Sequence, residues 1–444
     1  MKRILLVYAP FCTPASPPYS ITYLYSFLKN NCNEQIEVLD LNLEFHKIKF
    51  PEYQKYSHDS SKWKNYTEET KKYSMQTKKV YSENNRNVVE GNKPELFEHI
   101  LSKIKEKKPD IVAFSLVYSS QAFYAYSLIK ELKDVVTVIG GPAVNSKLKD
   151  IADKCLKDEV EFLNYLHEGA ELNINFPVDF SIYSLKEYFT PKPVIPIKTS
   201  STCYYGQCAF CSHYDNVKYH EYPLENIKQT IVNSKQKYFF IIDDMIPAKR
   251  LLKIAETFKP LGINWTCQLR PTKEMDYLTL KKLRDSGLTM IMWGVESGND
   301  RVLRLINKGT NKKDIENVLE DSHTAGIKNI AYILFGFPTE TKHEFIETIE
   351  FLQRNNQYID LVSVSIFGLQ KGTSVYNNPS KFGIKEIAEE ERTVLEPKIK
   401  YIPAIGMTQE EAAKLRKGYR NTIHSINKYP EMMNFFREHM FCIV

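Results

Sequence analysis

The sequence predicts an α/β protein. It would comprise an N-terminal doubly wound parallel sheet, a partial (β/α)6 barrel and a helical C-terminal tail. Three observations predict this. Short apolar runs alternate with helical periodicities along most of the 444 residues, the pattern of parallel sheets covered by helices. A stretch at 172–196, with Pro177, Pro191, Pro193 and Pro196 and little periodicity, divides that alternation into two series. The second series, counting a strand before Cys203, has six βα-type units, the length of an incomplete barrel.

The first series opens with a strand at 3–8, a loop containing Pro10, Pro14, Pro17 and Pro18, a helix at about 20–29 and a strand at 36–41. Residues 51–87 contain no Ile or Leu and are rich in Lys, Tyr, Ser and Asn, so they read as a surface excursion with some helix and no core of its own. A helix at 95–106, a strand at 110–116, a helix at 120–133 and a strand at 135–139 follow. The last strand runs into Gly140-Gly141-Pro142, and only Gly91 precedes that pair among the glycines. A glycine pair at a strand's carboxyl end suits a tight turn or close approach to a ligand.

The second series gives strands at 238–242, 263–268, 288–293, 329–335 and 361–366. Helices fall at 249–257, 276–285, near 299–306, at 312–325 and at 341–353. From about 384 the tail reads as helical, with a capping box of Thr408 and Glu411 ahead of Ala412-Ala413-Lys414-Leu415. The expected domains are 1–175, a linker at 176–196, a barrel at 197–383 and a C-terminal region at 384–444.

Composition excludes several classes. Sixty Lys+Arg against 54 Asp+Glu leave +6, too thin a surplus to indicate a nucleic-acid partner. No apolar run reaches the ~18 residues of a membrane span. The basic and apolar start meets Pro10 early and reads as a first strand, not a signal peptide. Eight cysteines in such a chain suggest reduced thiols and a cytoplasmic protein.

Three of those cysteines lie close together in Thr202-Cys203-Tyr204-Tyr205-Gly206-Gln207-Cys208-Ala209-Phe210-Cys211. Thiolates at C-x4-C-x2-C spacing suit a soft metal or an iron–sulfur cluster. A structural zinc normally takes four protein ligands, so three leave a position open; a zinc knuckle completed by His213 is the alternative.

The segment resembles the cluster loop of radical S-adenosylmethionine (SAM) enzymes. Their usual pattern is C-x3-C-x2-C with an aromatic residue before the last cysteine, the place of Phe210. The longer first spacing is similar to a variant found in members with an N-terminal cobalamin-binding-type domain. Trp293-Gly294-Val295-Glu296-Ser297-Gly298-Asn299-Asp300, followed by Lys308-Gly309, resembles the family's fourth-strand SAM segment. Phe335-Gly336-Phe337-Pro338-Thr339-Glu340-Thr341 resembles its fifth-strand segment.

The resemblance implies that Cys203, Cys208 and Cys211 hold a [4Fe-4S] cluster whose open iron takes SAM, which is then cleaved to a 5′-deoxyadenosyl radical. It implies SAM contacts at Phe210 (adenine), Asp243 and Asp244 (methionine amino group), Glu296 and Ser297 (ribose or methionine), and Gly336. Arg270 would meet a SAM carboxylate or the substrate. Ser115, Gly140 and Gly141 match positions that contact the nucleotide tail of cobalamin. Two departures stand out: Ala143 follows Gly-Gly-Pro where histidine is usual, and Asp158-Glu159-Val160-Glu161 replaces Gly-Glu-Gly-Glu. No D-x-H-x-x-G motif offers a histidine to cobalt.

The expected activity is cobalamin-dependent methyl transfer to an unactivated carbon of a small molecule or peptide, with electrons from a donor such as flavodoxin or ferredoxin. The alternatives are a cobalamin-independent radical SAM enzyme, catalysing rearrangement, cyclisation or cross-linking, and a zinc-binding interaction protein.

Overall fold

The computed structural model describes residues 1–212 and 217–444, and divides into two compact units. The first comprises Met1–Pro196, Glu225–Gln236 and Glu391–Pro397; the second comprises Ile197–Leu224, Lys237–Glu390 and Lys398–Val444.

The first unit is built on β1 (Arg3–Tyr8), β2 (Gln35–Asp40), β3 (Ile111–Ser115), β4 (Val136–Gly140) and the short β5 (Lys154–Cys155). They form one parallel sheet in the order β2-β1-β3-β4-β5. This is a doubly wound order, reversing direction between β1 and β3. Ile4, Leu6, Ile111, Ala113 and Val138 pack with Ile21, Phe27 and Leu28 of the helix Tyr19–Asn31. The strands are nearly all apolar because helices bury both faces of the sheet.

Residues 51–87 correct the expectation of a surface excursion. They form the helix Pro51–Ser57, a 3-10 turn, and most of the long helix Tyr66–Val89. Tyr66, Thr70, Tyr73, Thr77, Val80, Asn84 and Val88 are buried at helical spacing. The stripe is made of tyrosines and small polar residues where Ile and Leu are usual. Tyr73 stacks on Tyr53 at 3.9 Å, and its hydroxyl lies 2.8 Å from Nδ1 of buried His46. Asn84 Nδ2 donates to the Tyr124 hydroxyl at 2.9 Å. Polar groups inside the stripe therefore have partners, which makes their burial tolerable.

The expected linker is also packed: Phe176, Phe180, Tyr188 and Phe189 are buried. Its last residues form β6 (Val194–Ile197).

The second sheet has the order β11-β10-β9-β8-β7-β6, with β7 (Tyr238–Ile241), β8 (Asn264–Leu269), β9 (Leu288–Glu296), β10 (Lys328–Phe335) and β11 (Leu361–Ile366) mutually parallel. This is the partial barrel. Alternation assigns its two faces. Trp265 packs on Phe258 of the helix Ala248–Phe258, and Phe335 on Phe345 of the helix Lys342–Arg354. Trp293 Nε1 donates to Asn329 Oδ1, which also accepts from Ser322 of the helix Lys312–Thr324. Gln268, Gly294, Ile330, Tyr332 and Leu334 consequently face the opposite, interior side.

The tail corrects a second expectation. Residues 384–403 form an antiparallel hairpin, β12 (Ile384–Glu390) with β13 (Lys398–Pro403). Ile384, Tyr401, Ile387 and Ile399 join a cluster with Leu334, Phe337 and Phe367. Helices follow at Gln409–Gly418, Arg420–Ile426 and Arg437–Ile443, the first capped by Thr408 and Glu411 as the sequence implied.

Candidate functional site

The cysteine loop follows β6, and the elements beyond the carboxyl ends of β8 and β9 hold it. Gly206 turns it through a left-handed conformation, φ +57°. Ala209 N–H donates to Ile306 O at 2.7 Å, and Asn307 Nδ2 to Gln207 O at 2.9 Å. Tyr205 O–H donates to Asn307 O at 2.8 Å. Arg270, just beyond β8, lies with its guanidinium 3.6 Å from the Tyr205 ring centroid and donates to Lys308 O and the Tyr204 hydroxyl, each at 3.1 Å. Gly309, φ +67°, is required here, because a Cβ would stand 2.4 Å from the Tyr205 hydroxyl.

Cys203, Cys208 and Cys211 are all half-buried in this loop. Burial pushes the Cys208 thiol up from its ordinary range; Lys308 and Arg270 oppose that, while Glu296 and Cys203 reinforce it. Cys203 and Cys208 therefore share one electrostatic environment. Among the described residues, no three Cys, His, Asp or Glu side chains already converge on one point as metal ligands. The donor set nevertheless suits an iron–sulfur cluster: three thiols on one short loop, with Lys308 and Arg270 opposing the rise that burial imposes on Cys208. His213 lies outside the described residues.

Glu296 ends β9 and is the strongest electrostatic feature of the site. Its Oε1 accepts from Lys308 Nζ at 2.8 Å, with the side chains only 13% and 5% exposed. Burial alone would lower the Lys308 pKa, but Glu296 and Cys208 more than offset it and the net shift is upward. Glu296 holds a left-handed backbone, φ +64°, sparsely populated for a residue with a side chain. Lys308 Nζ also lies 5.9 Å from the centroid of Phe210.

The other expected residues are placed as follows. Asp243 is buried and faces inward: it accepts from Thr199 N–H (2.6 Å), Thr199 Oγ1 (2.6 Å) and Ser200 Oγ (2.7 Å). Both carboxylate oxygens thus hold the segment that leads into the cysteine loop. Asp244 is next to it and half-buried. Ser297 is buried, its Oγ accepting from Asn299 N–H and lying 3.2 Å from Thr348 Oγ1. The helix Asp300–Ile306 is capped by Asn299, through Val302 N–H. Gly336 adopts φ +74°; its N–H donates to Glu340 and its carbonyl accepts from Tyr401 O–H.

Glu340 was not singled out by the sequence reading. It is buried, its Oε1 has no hydrogen-bond partner, and burial pushes its pKa up to about 8.

In the first unit, Ser115, Gly140 and Gly141 line a cavity at the carboxyl ends of β3 and β4, together with Ser20 and Asp158. Ser115 Oγ donates to Ser20 Oγ at 2.8 Å. Gly141 has φ +110°, and a Cβ there would stand 2.4 Å from Leu116 O. Asp158 caps the helix Glu159–Leu166 by accepting from Glu161 N–H. The residues replacing Gly-Glu-Gly-Glu therefore build a helix start.

Residues 197–352 match the Radical SAM superfamily. This chain carries a radical SAM domain, whose chemistry uses a [4Fe-4S] cluster and SAM, and the zinc-knuckle alternative has no comparable support.

Among curated proteins, the bacteriochlorophyllide d C-12(1)-methyltransferase of Chlorobaculum tepidum is 27% identical over 40% of this chain and 42% of its own length. An uncharacterized methyltransferase of Pyrococcus horikoshii is 23% identical over 67% of this chain and 75% of its own. The chain thus spans less than half of the first relative. Among solved structures, the cobalamin-dependent SAM radical enzyme OxsB superposes with a TM-score of 0.64 and 13% identity, covering 98% of this chain and 70% of OxsB. The radical SAM methyltransferase TsrM of Kitasatospora setae, solved with cobalamin and a [4Fe-4S] cluster, gives a TM-score of 0.64 and 12% identity, covering 96% of this chain and 89% of TsrM. At such identities the likeness is one of fold.

Proposed function

We propose that this protein is a cobalamin-dependent radical SAM methyltransferase acting on an unactivated carbon of a small molecule or peptide. One observation carries the reading: a three-cysteine loop at the strand ends of a partial barrel shares a chain with a doubly wound sheet whose strand ends enclose a cavity. The cluster and SAM would supply the radical, and cobalamin the methyl group.

The chain's own residues would bind and orient. Cys203, Cys208 and Cys211 would ligate the cluster, and Arg270, whose charge no carboxylate matches as Glu296 matches that of Lys308, would favour the thiolate form of Cys208. Glu296, held by Lys308 at 2.8 Å, is fixed in orientation at the strand end, which suits it to the ribose or methionine portion of SAM. Phe210 offers a ring and its backbone to the adenine. Asp243 would act through position, anchoring the approach to Cys203, and Asp244 is then the nearer candidate for the methionine amino group. Ser297 and Gly336 would shape the strand ends around SAM.

In the first unit, Gly140 and Gly141 present bare backbone at a strand end, and Ser115 and Ser20 offer hydroxyls. That is a fit for the polar, phosphate-bearing tail of cobalamin. A low-potential one-electron donor of the flavodoxin or ferredoxin type would serve as partner.

The test is anaerobic reconstitution with iron, sulfide and hydroxocobalamin, followed by desalting, spectroscopy and metal analysis. The expected result is about four irons per chain with a retained corrinoid spectrum, and loss of the iron and of reductive SAM cleavage on Cys208→Ala. An iron–sulfur spectrum without corrinoid would overturn the cobalamin part and favour the cobalamin-independent alternative. Full SAM cleavage by Cys208→Ala would overturn the reading altogether.

A further inference from the structure

The interior wall of the barrel carries a cation that the proposed SAM chemistry leaves unused. Arg437 belongs to the C-terminal helix Arg437–Ile443, and its guanidinium lies 4.8 Å from the centroid of the Tyr332 ring. Tyr332 is on the interior face of β10, opposite to Asn329 and Phe335, which pack on helices. The same C-terminal helix places Phe441 5.4 Å from Tyr238 of β7. It therefore packs against interior-facing residues of two strands.

Arg437 has no acidic partner there. Among the described residues no carboxylate comes within ion-pair distance of it; the neighbour Glu438 reaches it only through longer-range Coulombic attraction, and its Nε is buried without a hydrogen-bond partner. Arg437 as a whole is half-buried, but the buried Nε is an unmet donor, and a buried donor left unmade costs about 1–3 kcal/mol. A guanidinium so placed can take up an oxyanion that arrives later.

The surroundings point the same way. The Tyr332 hydroxyl makes no hydrogen bond to a described residue, so it offers a second donor beside the guanidinium. Tyr332 pairs laterally with Gly294, against whose Cα Lys308 Nζ and Glu296 close in. Tyr332 thus continues the row Glu296, Lys308, Gly294 along the interior wall, within electrostatic reach of Arg437, of Glu438 and of Glu296, whose charge Lys308 matches at 2.8 Å. Ile330 and Met292, paired across β10 and β9, supply apolar wall beside them.

We propose that Arg437, with Tyr332, forms an oxyanion-recognition subsite for the substrate, selecting one that bears a carboxylate or phosphate on an apolar frame. This rests on the barrel being the reaction chamber of the proposed function. Guanidinium is the appropriate group, since its planar fork matches two oxygens of either anion. Stacking on Tyr332 orients the fork in advance and reduces what binding must order.

The test uses the cluster-reconstituted protein and equilibrium dialysis with radiolabelled benzoate, with phenyl phosphate and neutral benzamide as competitors. Wild type should bind benzoate, and benzamide should not displace it. Displacement by phenyl phosphate at lower concentration than by unlabelled benzoate would identify phosphate as the preferred anion; the reverse would identify carboxylate.

Arg437→Met keeps the aliphatic packing on Tyr332 and should weaken benzoate about 10- to 100-fold, the worth of a charge-assisted pair of hydrogen bonds. Arg437→Lys should recover part of that. A wild type that binds no oxyanion probe, or an Arg437→Met variant that binds as well as wild type with unchanged melting temperature, would overturn the proposal. Iron content and reductive SAM cleavage by wild type in the same preparations report separately on the proposed function. Their absence would sink that reading while benzoate binding still judged Arg437.

Discussion

Asp243, a residue expected to contact SAM, also makes contacts within the chain whose worth substitution can measure. Its carboxylate accepts three hydrogen bonds of 2.6–2.7 Å, from Thr199 N–H, Thr199 Oγ1 and Ser200 Oγ, with 1% of the residue exposed. Asp243→Ala strands all three donors. The Thr199 amide cannot turn away, and a buried donor left unmade costs about 1–3 kcal/mol. The two hydroxyls can rotate, so about 0.5–1 kcal/mol each is appropriate. The sum is about 2–5 kcal/mol, centred near the upper end of ordinary single substitutions. Asp243→Asn differs: its side-chain oxygen still accepts from the amide, and the hydroxyls can reverse to meet its nitrogen. Burial raises the Asp243 pKa, so the neutral amide also removes a charge that the site desolvates. About 1 kcal/mol is expected for it.

Urea unfolding at pH 7.5, followed by far-UV circular dichroism, should separate the two variants by about 1–2 M in midpoint, given a slope of about 1–3 kcal/mol per molar. Because Cys203 lies four residues beyond Thr199, reconstituted iron should fall in the alanine variant and persist in the asparagine variant. An alanine variant within 1 kcal/mol of wild type, or an asparagine variant as damaged as the alanine one, would refute the anchoring role.

Two further outcomes are expected. Glu340, neutral when folded up to about pH 8 against an ordinary 4.5, binds more protons in the native state than in the unfolded chain between those values. Stability should therefore fall as pH rises through that window, by at most ~1.4 kcal/mol per unit; urea midpoints at pH 5.5 and 8 should show the slope, reduced in Glu340→Gln. Gly141→Ala, with φ +110° and a Cβ 2.4 Å from Leu116 O, should cost about 3 kcal/mol and corrinoid retention, whereas Gly91→Ala, φ +83° with nothing within 4 Å, should cost about 1. Thermal melts and hydroxocobalamin retention on the pair check this.

Strands such as β1, β3, β4 and β9 to β11 were legible because each is a short, nearly continuous apolar run; β5, two exposed residues at Lys154–Cys155, was not read. The helix Tyr66–Val89 was not, since its buried stripe uses Tyr, Thr, Ser and Asn, residues that read as solvent-facing until their partners are known. The hairpin at 384–403 was also hidden. Ile384-Lys385-Glu386-Ile387-Ala388-Glu389-Glu390 is rich in helix formers, and packing of Ile387 and Tyr401 on the Phe337–Phe367 cluster overrides that propensity. At the site, the cysteines could be read because their spacing is local. The Glu296–Lys308 pair, the inward turn of Asp243, and Arg437 could not, because each depends on which way a side chain faces in the folded barrel.

Those orientations decide where positive charge resides beside the thiols. Lys308 is the nearer influence on Cys208, but its charge is matched by Glu296 at 2.8 Å, and Glu296 itself raises the Cys208 pKa. Arg270 has no such counterweight. Among the described residues its polar contacts are the Lys308 carbonyl, the Tyr204 hydroxyl and the Tyr205 ring, all formally neutral. On the proposed reading, Arg270 then supplies the uncompensated cation that offsets thiolate charge, while Lys308 and Glu296 act as a neutral, rigid pair that fixes the strand end. The two aromatic residues after Cys203 acquire a reason from this division: they hold the guanidinium against the loop without neutralising it, as a carboxylate in either place would.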